Sequence, residues 1–256
     1  MTIVVILDYM GGPRTDRLYE QVVSWNSHVP VYVLDNASPG NRSRVVTHRN
    51  ATNSGVGGGI CDCIAVAKDT GGSHLLYVAN DVEFTSPLYV SAFERVAEAD
   101  GAVHVGAAVT VDSSQAKLFP WSVAVQSGTR RLVQHVDLLV SLLDLDFIAG
   151  FGGFPRSVGG WGYSWELAFH ASRRGRPLAV LDSCVVRHAD ALAPPAAEVQ
   201  RQLKAAEVSA VYGQKYGRLP WASLRQRVYL AHAQLFAGWP AVAGGRKGSE
   251  EGGELR

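Results

Sequence analysis

The chain is 256 residues long, with 47% hydrophobic and 18% charged side chains. At about 150 residues per domain this is one large domain, or one with an appendage, and the composition excludes a disordered body. Twenty-four Lys and Arg against 23 Asp and Glu leave a formal +1, which excludes the one-signed field that recruits nucleic acid or acidic lipid.

The three cysteines, Cys61, Cys63 and Cys184, are too few for a disulfide scaffold and point to reduced thiols in a cytoplasmic protein. The opening MTIVVILDY has no basic stretch before its apolar run and an Asp directly behind it, so it reads as a strand and not a signal peptide. No apolar run approaches the roughly 20 residues of a spanning helix.

Residues 3–7 are a continuous β-branched run ending at Asp8, the pattern of a strand buried on both faces of a parallel sheet. Gly11, Gly12 and Pro13 mark a loop. Behind Asp16 as candidate cap, Leu18, Val22 and Trp25 share a face and predict a helix of about three turns. A second strand, 31–34, runs into the turn formers Asp35-Asn36-Ala37-Ser38-Pro39-Gly40. A third is predicted over 45–48, followed by a loop over 49–59 and a helix that aligns Val56, Ile60, Ile64 and Ala67. A fourth strand, 74–78, leads to Ala79-Asn80-Asp81. Pro87 opens the next helix, whose stripe is Leu88, Ala92 and Val96.

After a strand over 103–109, residues 112–146 carry no clear period. From Phe147 glycine and aromatic residues crowd ahead of a helix ending at Arg173-Arg174-Gly175, and a strand follows over 178–181. Further helices are expected over 197–212 and around 221–239. Residues 241–256 read as a frayed tail. Strands alternating with helices predict an α/β fold with a mostly parallel, doubly wound sheet, whose ligand sites lie at the carboxyl ends of the strands. Asp8, Asp35, Arg49 with Asn53, and Asp81 then fall on one polar edge. A single Asp behind a strand is commonly a cap; four such ends in order point to a ligand.

Three segments, LDNASPG (34–40), RNATNSGVGGG (49–59) and LLYVANDVEF (75–84), resemble in order and spacing the nucleotide-sugar core of glycosyltransferase family 2, which has the GT-A fold. GGWGYSWELAFHASRRG (159–175) resembles that family's second signature, and the resemblance covers about residues 3–188. It implies one GT-A domain over 1–240, with a nucleotide-sugar half (1–110) and an acceptor-side half (111–240). It also implies transfer of a sugar from a nucleoside diphosphate sugar to a hydroxyl acceptor, a small molecule or natural product, with inversion. Within it Asp81 and His188 are the metal ligands, beside Asn80. Asp35 holds the base or ribose edge, flanked by Asp8 and Tyr9. Arg49 faces the diphosphate, and Asn53 and Gly55 shape the loop beneath the nucleotide.

The chemistry explains these residue types. The leaving diphosphate accumulates negative charge, which Mg²⁺ or Mn²⁺ on hard oxygen ligands neutralises. The acceptor hydroxyl needs a carboxylate base, for which the resemblance offers Glu166. Trp161, Tyr163 and Trp165 would floor the sugar ring, and Gly150, Gly152 and Gly153 would let backbone approach substrate. Two positions depart from the family pattern: Ala79 removes one metal contact, and Ser164 stands where relatives often carry Asp. Two further readings therefore stay open, a retaining transferase and a non-catalytic nucleotide-sugar binder or scaffold.

Other signals are weaker. Gly55-Val56-Gly57-Gly58-Gly59 has Ile60 at the last glycine position of a dinucleotide loop, and its strand ends too early. The loop after the first strand is too reduced for a nucleotidylyltransferase. Cys61 and Cys63 sit two apart on a helix and diverge, and the Asn-x-Ser/Thr triplets crowd the proposed pocket. The C-terminal helix carries Arg225 and Arg227 among apolar residues; it is expected to pack on its own core, with a membrane surface or a homodimer contact as the alternatives.

Overall fold

The structure, a computed structural model, describes residues 1–125, 130–188 and 194–236. The expected tail over 241–256 and the end of the last predicted helix lie outside the described residues. In chain order the elements are β1 (Thr2–Asp8), α1 (Pro13–Trp25), β2 (Val31–Asp35), β3 (His48–Arg49), α2 (Gly55–Asp69), β4 (His74–Ala79), β5 (Val82–Phe84), α3 (Val90–Asp100) and β6 (His104–Val109). Two short 3-10 turns, Ser114–Lys117 and Pro120–Ser122, precede β7 (Arg130–Val133), β8 (Val140–Asp144), α4 (Leu145–Ala149), α5 (Tyr163–Arg173), β9 (Leu178–His188), α6 (Pro194–Tyr216) and α7 (Ala222–Phe236).

The strands form one sheet in the order β3-β2-β1-β4-β8-β6-β9-β5, with β7 also on β9. β1 to β4, β6 and β9 run in one direction, and β5, β7 and β8 run against them. The continuous run of β1 is explained by burial on both faces: Ile3, Val5 and Leu7 enter one core with α2, α5, α6 and α7, while Val4 and Ile6 enter another with α1 and α3. The antiparallel β8 sits between β4 and β6, so the second half of the chain contributes strands to the middle of the sheet begun by the first. Trp221, Leu224 and Val228 of the C-terminal region are buried in the first of these cores. Among the described residues no helix is long and apolar enough to cross a membrane.

Several boundaries differ from those expected. α1 begins at Pro13, and Asp16 is no cap: its carboxylate lies in the first turn, bonded to Ser43 Oγ (2.7 Å) and to Arg44 N (2.8 Å) and Nε (2.9 Å). The third strand shrinks to His48–Arg49 because Thr47 Oγ1 itself caps Val33, accepting from its N–H (2.9 Å) and donating to its carbonyl (3.0 Å). α3 begins three residues beyond Pro87, where Asn26 Oδ1 accepts from Val90 N (2.9 Å) and so caps a helix distant in sequence. β9 outruns its predicted end: its register on β6 jumps from Leu181 to Val185, and this bulge carries the strand on to pair with β5 and end at His188.

The glycines expected in a loop lie inside α2, where they admit another segment. A Cβ on Gly57 would sit 2.5 Å from Ser157 O and 2.6 Å from Gly160 N, both backbone atoms. Gly57→Ala is therefore expected to lower stability by about 1–3 kcal/mol despite alanine's better helix propensity. Urea denaturation measures this; an unchanged or raised midpoint would show that the 157–160 segment does not rest on α2.

Candidate active site

Parallel strands bring their carboxyl ends to one edge, and the side chains there hold one another in place. Asp8 ends β1 fully buried, its Oδ1 accepting from Gly11 N (3.0 Å), Thr15 Oγ1 (2.7 Å) and Asn80 Nδ2 (2.7 Å). It ties β1 to α1 and fixes Asn80 at the end of β4, while its neighbour Tyr9 stays exposed. Asp35, also buried, accepts from Ser38 N (2.9 Å) through Oδ1 and is ion-paired with Arg49 through Oδ2. Arg49 further donates to Ser38 O (3.2 Å), and its side chain remains 41% exposed.

Asn36, not singled out by the sequence reading, organises the adjoining loop. Its Nδ2 donates to Asn53 Oδ1 (3.1 Å) and Gly55 O (2.9 Å). Its Oδ1 accepts from Asn50 Nδ2 (3.0 Å), Ser54 N (3.1 Å) and Ser54 Oγ (3.0 Å). Gly55 has φ +72°, and a Cβ there would meet Val158 O at 2.2 Å, so only glycine fits.

Asp81 follows β4 and meets His188 from the end of β9: Oδ2 to Nε2 is 2.9 Å, with side chains 34% and 13% exposed. Burial alone would push the Asp81 carboxyl up, but the hydrogen bond and charge of His188, its own backbone N–H and the Arg14 guanidinium hold it below the ordinary carboxylate range. Ser114 Oγ donates to Gln115 Oε1 (2.7 Å) and lies 2.7 Å from His188 Nδ1. The Ser114 proton being committed, Nδ1 is the donor to Ser114 and Nε2 donates to Asp81; with a cation bound, Nε2 would present its lone pair there instead. Such an oxygen–nitrogen pair, half-exposed at the sheet edge, could hold a divalent cation once the proton between the two atoms is displaced. Among the described residues no three His, Cys, Asp or Glu side chains converge to hold a metal. Asp81 and His188 would thus supply two ligands and leave the remainder to substrate oxygens, as is usual for Mg²⁺.

The acceptor-side residues are placed differently from the sequence expectation. Gly150 lies at the opposite edge of the sheet, because β8 runs antiparallel and ends where Asp144 pairs with His74, the first residue of β4. There its carbonyl accepts from Arg174 Nη2 (2.8 Å). Tyr163 is no sugar floor: it is fully buried, stacks on Phe154 with centroids 4.5 Å apart, and donates to Pro155 O. Trp165 is likewise buried, stacked on His135 at 3.9 Å. Trp161 alone of the three stays half-exposed, with Lys204 Nζ 5.9 Å from its ring centroid.

Glu166 is fully buried, and its Oε1 accepts from Lys215 Nζ (2.7 Å) and the Tyr216 hydroxyl. Lys215 also donates to Gly153 O (2.6 Å), so α6 is fastened across this carboxylate. Burial raises the Glu166 pKa, against the pull of Lys215 and Tyr216. Ser164 Oγ, two residues earlier, lies 3.0 Å from His135 Nε2, also buried.

No family model and no curated protein matches this sequence. Solved structures do match in fold. GalNAc-T7, solved with UDP, GalNAc and Mn²⁺, superposes with a TM-score of 0.57 and 13% identity over 73% of this chain and 43% of that one. S. aureus TarS gives 0.51 and 14% over 82% of this chain and 40% of that one. TarS residues 1–349 in complex with UDP-GlcNAc gives 0.50 and 12% over 82% and 67%. This chain thus spans about two fifths of the length of the first two. The similarity is one of fold, and the fold is GT-A.

Proposed function

We propose that this GT-A chain is a glycosyltransferase that moves a sugar from a nucleoside diphosphate sugar to a hydroxyl acceptor, with inversion and with Mg²⁺ or Mn²⁺. The observation that carries the reading is the Asp81–His188 pair, 2.9 Å apart, at the carboxyl edge of a GT-A sheet beside the Asp35–Arg49 pair. The solved neighbours include one with UDP and Mn²⁺ and one with UDP-GlcNAc, which supports this donor class.

In this reading Asp35 and Arg49 hold the nucleoside and diphosphate ends of the donor, and Asn53 and Gly55 carry the loop under it, fixed by Asn36. Asp8 acts through Asn80, keeping the end of β4 registered on β1. Asp81 and His188 would hold the cation, which would supply positive charge to the departing diphosphate. Trp161 and Lys204 border the acceptor side. The acceptor is a small molecule or natural product, and neither a nucleic acid nor a second copy of the chain is required.

Incubation with UDP-, GDP-, TDP-, CDP- and ADP-linked glucose and N-acetylglucosamine, with Mn²⁺, tests the activity. Release of one nucleoside diphosphate, slow with water and faster with an alcohol acceptor, is the expected result. Binding of a diphosphate with no cleavage of any donor would favour the alternative of a non-catalytic binder, for which Ala79 is the supporting residue.

A further inference from the structure

Inverting transfer needs a carboxylate that reaches the acceptor hydroxyl beside the diphosphate, and the position of that base is a question the geometry answers within the transferase reading above. Glu166 is sealed beneath α6 by Lys215 and Tyr216. Asp8 and Asp35 are buried and committed to holding strand ends. Asp62 is clamped by Arg156, Asn50 and Ser54, and both oxygens of Glu207 accept from Gly159 N.

Asp137 differs from all of these. It lies in the turn entering β8, and the β4–β8 ladder places it. The antiparallel register pairs Val78 with Val140, and Ala79 N donates to Leu139 O (2.9 Å) one step further on. Asn80-Asp81 and Leu138-Asp137 therefore leave the same end of the same ladder, one chain departing as the other arrives. The turn fits closely against β6 because residue 106 is glycine: a Cβ there would meet Val136 Cγ1 at 2.3 Å. Asp137 is half-buried, with no ion pair to another side chain among the described residues. The charges that act on it come from His188 at the end of β9 and from Lys204 on α6. It does not join Asp81 and His188 in a three-ligand cluster.

We propose that Asp137 is the catalytic base of this site. The acceptor O–H gives its proton to the Asp137 carboxylate as the acceptor oxygen bonds to the anomeric carbon. The bond from that carbon to the diphosphate oxygen breaks, and its electron pair leaves on the nucleoside diphosphate. Burial pushes the Asp137 carboxyl up, against the pull of the Leu138 N–H, Lys204 and His188, in the direction that suits a base near neutral pH.

The test is single-turnover release of diphosphate from the donor panel above with Mn²⁺, using water and glycerol as acceptors. It compares wild type, Asp137→Asn and Asp137→Glu, alongside the affinity of each for the diphosphate that wild type binds. Asp137→Asn should release diphosphate about 10²-fold or more slowly with its diphosphate affinity unchanged, and Asp137→Glu should recover part of the rate. Release at the wild-type rate overturns the assignment, as does loss of diphosphate affinity in Asp137→Asn, which would make Asp137 part of the donor or metal site. A wild type that binds a diphosphate yet cleaves no donor also overturns it. If wild type neither binds a diphosphate nor cleaves a donor, the transferase reading itself fails and this assignment falls with it.

Discussion

Asp81→Asn is expected to remove metal-dependent binding of a nucleoside diphosphate and to lower turnover by about 10³-fold, since a metal-borne charge contributes several kcal/mol to a departing phosphate and each 1.36 kcal/mol is a decade in rate. The argument is local. Asp81 brings the anionic oxygen of the pair, and His188 brings a ring nitrogen whose orientation Ser114 fixes. The amide of asparagine is nearly isosteric and keeps a hydrogen bond to His188, so the fold should be unchanged; what it removes is the negative charge that a hard cation requires. Isothermal titration of the diphosphate with Mn²⁺ and with EDTA reads this directly. The variant should bind equally in both, at the level of wild type in EDTA. Full Mn²⁺ dependence in the variant would place the cation elsewhere.

Asn36→Asp should be the most damaging isosteric change in the nucleotide-side loop. The side chain is almost fully buried and accepts three hydrogen bonds through Oδ1 while donating two through Nδ2. Aspartate keeps the acceptor oxygen but turns the donor nitrogen into a second acceptor, facing Asn53 Oδ1 and Gly55 O, and it adds a charge near Asp35 and Asp62. Setting a buried carboxylate against the Asn53 and Gly55 oxygens in place of a donor costs about 1–3 kcal/mol. Donor affinity should fall with stability, because Asn53 and Gly55 lose the group that orders them. Urea denaturation and diphosphate titration report the two effects. A variant of wild-type stability would mean that the Asn36 bonds do not hold this loop.

The nucleotide-side edge was legible in the sequence because strand polarity alone determines it: once 3–7, 31–34 and 74–78 are parallel strands, Asp8, Asp35 and Asp81 must meet at one edge. The partner of Asp81 was legible only through the family resemblance, since His188 reaches it by a bulge in β9 that no local pattern encodes. Residues 112–146 gave no period because their described elements are short turns and short strands. β8 among them takes its place from pairing with β4 and β6 rather than from its own sequence, and Asp137 was hidden with it. The aromatic run at 161–165 shows the opposite failure. Alternation suggested a ligand surface, but α5 turns Tyr163 and Trp165 into the core and leaves Trp161 outside. Glu166 carried the right chemistry for a base, yet the residues that enclose it, Lys215 and Tyr216, are 49 and 50 positions away. The arginines 14 and 49 were separable only in part: Arg49 lay in a recognised segment, whereas the pull of Arg14 on Asp81 follows from how α1 packs against β1 and β2.

In this reading the strand-end edge binds a nucleoside diphosphate through a cation on Asp81 and His188. Thermal unfolding with UDP, GDP, TDP, CDP and ADP, each with Mn²⁺ and with EDTA, tests it most directly. A ligand at 100 times its dissociation constant stabilises the folded state by about 2.7 kcal/mol, which is readily seen as a rise in melting temperature. One diphosphate should raise Tm with Mn²⁺, and EDTA should abolish the rise. No shift with any diphosphate, or a shift of equal size in EDTA, would contradict it.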